Sequence, residues 1–237
     1  MRTRFIIILS VLAGMFSSCK VNDIALYSES QRIEFSSSEQ CSFNDIDYLN
    51  AYILDGEDYK DAEFTAQLIG YFLDTPRTFA VMTSPVTSAA FTPEVEFTNP
   101  YEFPAGVPSV TAGFKVKCPS KENVSTRNTT RTGVVDIVYD NSSEFQQFGE
   151  GRVENLSCEV SVTLNIYPSD WDNTFWGAYS TSKYFLIMET FGAVHADIER
   201  TVSNKLMIMA AYNDYKAQNG PLFGDDNDSN KEIVFPS

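Results

Sequence analysis

The sequence predicts a mainly β protein: an Ig-like antiparallel β-sandwich over residues 31–167, followed by a smaller C-terminal α-helical part over residues 168–237. Three observations carry this. Between residues 31 and 167 apolar and polar residues alternate in short runs, the period of a half-buried strand. Turns rich in Gly, Pro, Ser and Asn separate those runs, as in sandwiches. After Pro168 the apolar period lengthens towards 3.6 residues, the repeat of a helix.

The strands follow in order. Ile33 and Phe35 share one parity and are followed by Ser36-Ser37-Ser38. Residues 47–54 alternate imperfectly and close on Asp55-Gly56, which predicts a strand ending in a tight turn. In residues 63–73, Phe64, Ala66, Leu68 and Phe72 fall on one face; Asp74-Thr75-Pro76-Arg77 is a turn, and residues 79–82 are the returning strand. Pro85, Pro93, Pro100 and Pro104 make residues 83–104 a long connection, because each proline removes a ladder donor; one short strand fits at 95–97. Residues 107–118 alternate cleanly until Pro119. Residues 121–132 are polar and read as a surface loop, and residues 134–139 and 154–167 are the last strands. No helical period interrupts residues 31–167, so the sheets are expected to be antiparallel, without crossover helices.

The helical part begins with a candidate N-cap at Ser180. Tyr184, Ile187, Met188 and Phe191 then share a face, and Gly192 stands where a C-terminal cap belongs. A second helix follows Asp197, with Ile198, Val202, Leu206, Met209 and Tyr212 or Tyr215 as its stripe; Ser203-Asn204 offers a place to split it. Asn219-Gly220-Pro221 ends it. Residues 233–236 could pair as a short edge strand.

The N-terminus is a processing segment. Arg2 and Arg4 precede the apolar run 5–16, which is too short to span a bilayer, and Phe16-Ser17-Ser18-Cys19 is a lipobox. Residues 1–18 are thus expected to be removed as a lipoprotein signal peptide. Cys19 is expected to carry the lipid, with residues 19–30 as tether. The whole chain has a formal net charge of −15, and losing the two arginines makes the mature chain two units more acidic. Such an excess repels nucleic acid and anionic lipid headgroups. Beyond Cys19 three cysteines remain, Cys41, Cys118 and Cys158, and an odd number leaves at least one thiol free. Parity turns Cys118 and Cys158 inward as small buried hydrophobes, with a bridge between them as the alternative should their strands meet.

Few residues suggest chemistry. His195 is the only histidine, which removes most zinc sites and His-dependent triads, and it reads as a loop residue between helices. Asp170 and Asp172 flank Trp171, but in a chain with 32 acidic residues such pairs arise without purpose. The run Asp225-Asp226-Asn227-Asp228 has oxygens at calcium-like spacing, with Asp226 and Asp228 as the candidate ligands, yet an EF-hand loop would need Gly where Lys231 stands and Glu where Ser237 stands. A solvated acidic turn is the expectation, with no cofactor and no metal. Trp171 and Trp176 are the candidate ligand contacts, since exposed indoles stack on sugars or peptides. For Trp171 the expected role is instead to pin the helices to the sandwich. Gly177 and Ala178 offer little bulk to cover Trp176.

The stretch Trp171, then Trp176-Gly177-x-Tyr179-Ser180-x-x-Lys183-Tyr184, resembles the signature of a domain-of-unknown-function family of Bacteroidetes lipoproteins encoded beside SusC/SusD-type nutrient importers. Leu68-Ile69-Gly70-Tyr71, Pro76-Arg77-Thr78-Phe79, Phe103-Pro104-Ala105-Gly106 and Asn213-x-Tyr215 through Asn219-Gly220-Pro221-Leu222 to Phe235-Pro236 match in the same order. The resemblance implies an Ig-like or Calx-beta-like sandwich with a helical C-terminal part. It also implies a non-catalytic accessory role beside importer subunits at the outer membrane, in glycan or peptide uptake. A free-standing surface module that binds glycan or peptide through exposed aromatics is the alternative, and a carboxylate hydrolase a distant third. The family carries no assigned catalytic residues to transfer. Residues Lys20-Val21-Asn22-Asp23 lack the dense acidic run that accompanies surface export in such bacteria, so both membrane faces stay open, with the cell surface preferred.

Overall fold

Strand parity resolves into two facing sheets in the computed structural model, which describes residues 31–35, 38–224 and 231–236. The strands are β1 (Arg32–Phe35), β2 (Glu39–Phe43), β3 (Tyr59–Ile69), β4 (Arg77–Phe79), β5 (Val81–Pro85), β6 (Val95–Phe97), β7 (Tyr101–Phe103), β8 (Ser109–Lys117), β9 (Val124–Ser125), β10 (Thr132–Tyr139), β11 (Gly149–Glu150) and β12 (Ser157–Asn165). One sheet has the order β11-β1-β3-β8-β6 and the other β2-β12-β10-β5, with β9 against β12; β4 and β7 form a separate pair. Ile33, Phe35, Phe64, Ala112 and Phe114 face Val135, Ile137, Cys158, Val160 and Val162 in one core. The Phe35 and Tyr139 rings meet across it at 5.2 Å. The protein is therefore mainly β, a sandwich with a helical C-terminal part, as the sequence predicts.

The sheets are mostly antiparallel, but short parallel pairings occur at their margins: β1 with β11, and β12 with both β2 and β9. These join segments far apart in the sequence, so no dedicated crossover helix is needed.

Residues 47–54, expected to be strand, fall largely within helix α1 (Asp45–Tyr52). The cause is a capping box. Asn44 Oδ1 accepts from the Asp47 N–H at 3.0 Å while Asp47 Oδ2 accepts from the Asn44 N–H at 2.7 Å. Asp45 and Asp47 also place negative charge on the positive end of the helix. The expected returning strand at 79–82 is split at Ala80. β4 pairs with β7, whereas β5 crosses to β10 in the other sheet, and the Asn99 side chain satisfies both backbone groups of Val81. Phe72 does not share the inward face of Phe64: β3 ends at Ile69, and Gly70, at φ +116°, breaks the alternation.

The C-terminal part contains α2 (Asn173–Trp176), α3 (Thr181–Phe191), a 3-10 turn at His195–Asp197, and α4 (Val202–Asn219). α4 is one helix, because Asn204 sends its side-chain amide to the Glu199 carbonyl rather than into its own ladder. Its buried residues are Ile208 and Tyr212, and Val202 and Leu206 face solvent. The expected stripe holds at Ile198, Met209, Tyr212 and Tyr215, which lie in or against the core, and fails at Val202 and Leu206; Thr201 caps the helix, so Ile198 belongs to the turn before it. In the tail Ile233 and Phe235 are buried and Val234 is exposed, but the pairing is a single bridge, Phe223 with Glu232. The signal peptide, Cys19, the tether to residue 30, and the candidate ligands Asp226 and Asp228 lie outside the described residues.

Candidate functional site

The 168–192 segment builds a dock. Asp172 Oδ1 accepts from the N–H groups of Thr174 and Phe175, at 2.8 and 3.1 Å, and starts α2. The helix stops at Gly177, φ +78°, where an added Cβ would lie 2.9 Å from the Val234 carbonyl oxygen, so only glycine admits the tail. Ser180 Oγ accepts from the Lys183 N–H at 3.1 Å and starts α3, and Gly192 in the left-handed region closes it. Both caps are the ones the sequence predicts.

Both indoles point inward. Trp176 is 0 % exposed, with the Phe175 and Phe191 rings at 4.6 and 6.2 Å. These rings supply the cover that Gly177 and Ala178 lack. Trp176 Nε1 has no hydrogen-bond partner among the described residues. Trp171 is 9 % exposed, meets Tyr179 and Tyr184 edge-on at 5.0 and 5.6 Å, and donates from Nε1 to the Gly177 carbonyl at 2.8 Å. Neither ring offers a face to a sugar or peptide.

A polar chain, buried at Tyr184 and His195 and open to solvent at Asp170, ties this dock to the sandwich. The Tyr184 hydroxyl donates to Asp45 Oδ2 at 2.6 Å, and its oxygen accepts from the His195 backbone N–H at 3.3 Å. His195 Nδ1 lies 3.2 Å from the same hydroxyl, and Nε2 lies 3.1 Å from Asp170 Oδ1. His195 is thus a buried hub, and each of its ring nitrogens faces an oxygen. Burial, followed by the bond to Asp45, pushes the Tyr184 phenol well above its usual range, so the hydroxyl keeps its proton. Asp170 and Asp172 do not act as a pair, because Asp170 serves His195 while Asp172 caps α2 and meets Arg200 at 3.3 Å.

Beside the dock is a cleft of about 470 Å³ lined by Gly177, Tyr179, Ser180, Lys183, Lys231 and Val234, among others. Lys183, 2 % exposed, donates from Nζ to the carbonyls of Trp176, Ala178 and Val234 at 3.1, 2.7 and 2.9 Å. Burial pushes its ammonium down to about 8. All three N–H bonds are engaged, so the amine clamps the tail and presents no donor to a ligand. The spacing of Lys183, Ile187 and Phe191 puts this lysine on the apolar stripe of α3, a signal that stands beside its place in the family-like motif. Asp45 carried no comparable signal, because its helix was read as strand.

Elsewhere, a cleft of about 660 Å³ on the outer face of the first sheet is walled by Asp61, Glu63, Glu96 and Glu102 around Gly113. Among the described residues no three His, Cys, Asp or Glu side chains converge to hold a metal. Cys41, Cys118 and Cys158 are buried, and burial raises the Cys41 thiol to about 11 and the Cys118 thiol to about 12.

No family model and no curated protein matches this chain. Among solved structures, an apo-form Calx CBD1 domain is similar at 16 % identity over 57 % of this chain and 98 % of that domain, with a TM-score of 0.34. A two-domain protein of unknown function from Bacteroides fragilis NCTC 9343 is similar at 13 % identity over 58 % of this chain and 46 % of that one, with a TM-score of 0.37. The chain thus spans under half of the second protein. The sandwich assignment rests on the strand pairing and burial above.

Proposed function

We propose that this chain is a lipid-anchored, non-catalytic accessory protein of an outer-membrane importer of the SusC/SusD type, acting in glycan or peptide uptake. The lipobox ending at Cys19 supports the anchor and the family-like motifs support the setting. The observation that carries the non-catalytic reading is the use made of the signature residues. Trp171, Gly177, Ser180, Lys183 and Tyr184 bind one another or neighbouring backbone. What the motif encodes is therefore a dock between helices and sandwich, and the partner-facing chemistry falls to the surface. The two buried indoles weigh against the free-standing glycan-binding alternative in the form that uses them.

Purification of the tagged protein in mild detergent, from cells expressing the importer, tests this. Importer subunits are expected to co-purify in fixed ratio. Isolation of the chain alone would overturn the reading, and so would release of product from the importer's own substrate by the purified protein.

A further inference from the structure

The described chain begins beside its most exposed aromatic pair. β1 runs antiparallel to β3 with Arg32 opposite Ile69, so Gln31 lies next to Gly70, and a Cβ on Gly70 would stand 3.9 Å from the Gln31 Cα. The next two residues are Tyr71 and Phe72, 68 % and 60 % exposed. Leu73 behind them is buried, and its carbonyl accepts from the Gly106 N–H at 3.0 Å, which fixes the base of the loop and leaves the two rings at its crest. β11 runs parallel to β1 with Arg32 opposite Gly149, so the residues before Gly149 pass the same end of the sheet. Phe145, 45 % exposed, is among them, and its carbonyl accepts from Thr78 Oγ1 at 2.8 Å, which joins its loop to the strand following Tyr71 and Phe72.

The chain's own reach indicates what covers these rings. Eleven residues lie between Cys19 and Gln31. Even fully extended, the step from Cys19 to Gln31 spans no more than about 43 Å, so an acylated Cys19 tethers the chain to its bilayer from this end of the sandwich. Phenylalanine suits the acyl boundary, and tyrosine, with an apolar ring and a polar tip, suits the headgroup level. The acidic chain gains nothing from anionic headgroups, and Asp74 and Glu144 stand near the tip, so contact must come from apolar insertion and depend little on salt.

We propose that Tyr71 and Phe72, flanked by Phe145, form an interfacial tip that inserts into the membrane carrying the lipid anchor, so that the sandwich stands on its tether end. This rests on the lipid-anchor reading of Cys19. The occupant is the lipid surface itself, with an importer subunit as the competing one.

The test uses the full processed, lipidated protein in vesicles of phosphatidylethanolamine and phosphatidylglycerol containing brominated lipid. Phe72→Trp places an exposed reporter in a chain whose two native indoles are buried, with the unsubstituted protein as reference. Quenching of the added indole in vesicles, unchanged by salt, is the expected result. Tyr71→Ser combined with Phe72→Ser should leave the melting temperature unchanged and speed transfer of the lipidated protein between vesicles by roughly a hundredfold, since each inserted ring lost contributes about tenfold or more. Mass spectrometry of Cys19 separates the two claims: an unmodified cysteine overturns the anchor whatever the tip does. A lipidated, vesicle-bound protein whose added indole stays unquenched overturns the tip. So does an indole that is shielded only when importer subunits are added, which would assign these rings to a protein partner.

Discussion

The sandwich and the helical part share one apolar cluster but differ in the polar ties laid over it. In the sandwich Phe35, Phe64, Phe79, Phe103 and Phe114 are buried in that cluster, and the buried Glu34 carboxylate accepts from the exposed Arg152 and from Asn155. The helical part adds its two indoles, Phe185, Ile187 and Met188 to the cluster and carries polar ties besides: the Lys183 clamp, the Trp171 bond to Gly177, and the chain from Asp45 through Tyr184 and His195 to Asp170. Apolar burial is non-directional and tolerates repacking, whereas buried polar ties fix one arrangement and are costly when half-removed. The helices are therefore oriented by chemistry that the sandwich does not need.

The largest effect should come from the indole at the centre of the dock. Trp176→Ala is expected to destabilise by about 3–5 kcal/mol, comparable to Phe64→Ala in the sandwich. Chemical denaturation of both variants would show it, and a Trp176→Ala protein that melts like wild type would mean that the helices are not packed through this ring. Tyr184→Phe keeps the ring and removes the hydroxyl that Asp45 and His195 share, at about 1–3 kcal/mol. The same deletion from a core tyrosine lacking partners should have a smaller effect; Tyr139, whose hydroxyl has none among the described residues, is the control. If both changes cost the same, the contrast between the two regions fails.

Lys183 sharpens the contrast through pH. Its folded ammonium loses its proton at about 8, against an ordinary value of 10.5. Between those values the unfolded chain holds a proton that the folded chain does not, so this group makes stability rise with pH across that window. The buried thiols and tyrosines act in the opposite sense above about pH 9. The wild type should accordingly gain on Lys183→Met as pH rises from about 8 to 10.5, read as a difference between two melting series. A difference independent of pH would show that burial does not hold down the amine. The smallest effects belong to the caps: Asn44→Ala and Ser180→Ala should each cost about 1 kcal/mol.

The same contrast explains what was legible in the sequence. Strand parity encodes burial directly, so Ile33, Phe64, Phe114 and Val160 could be placed inward from the alternation alone. Helix α1 was missed because Tyr48 and Leu49 are adjacent buried residues on a weakly amphipathic segment; its Asn44–Asp47 capping box was the available signal. In helix α4 the stripe holds at Met209, Tyr212 and Tyr215 but fails in the first turns, where Val202 and Leu206 are exposed, because a helix that buries only Ile208 and Tyr212 has little apolar bias to set its phase. His195 and Asp45 come together with Tyr184 only through tertiary packing, and a lone histidine between helices carries no trace of the oxygens that will face it.

The double-mutant cycle of Asp45→Ala and Tyr184→Phe tests most directly whether the helices are docked on the sandwich through this polar chain. The two residues belong to different regions and share a 2.6 Å hydrogen bond, so the cycle should return a coupling of about 1–3 kcal/mol, as contacting groups in one network do. A coupling within about 0.3 kcal/mol of zero, the level seen for independent sites, would contradict the account and leave apolar packing alone to hold the helices in place.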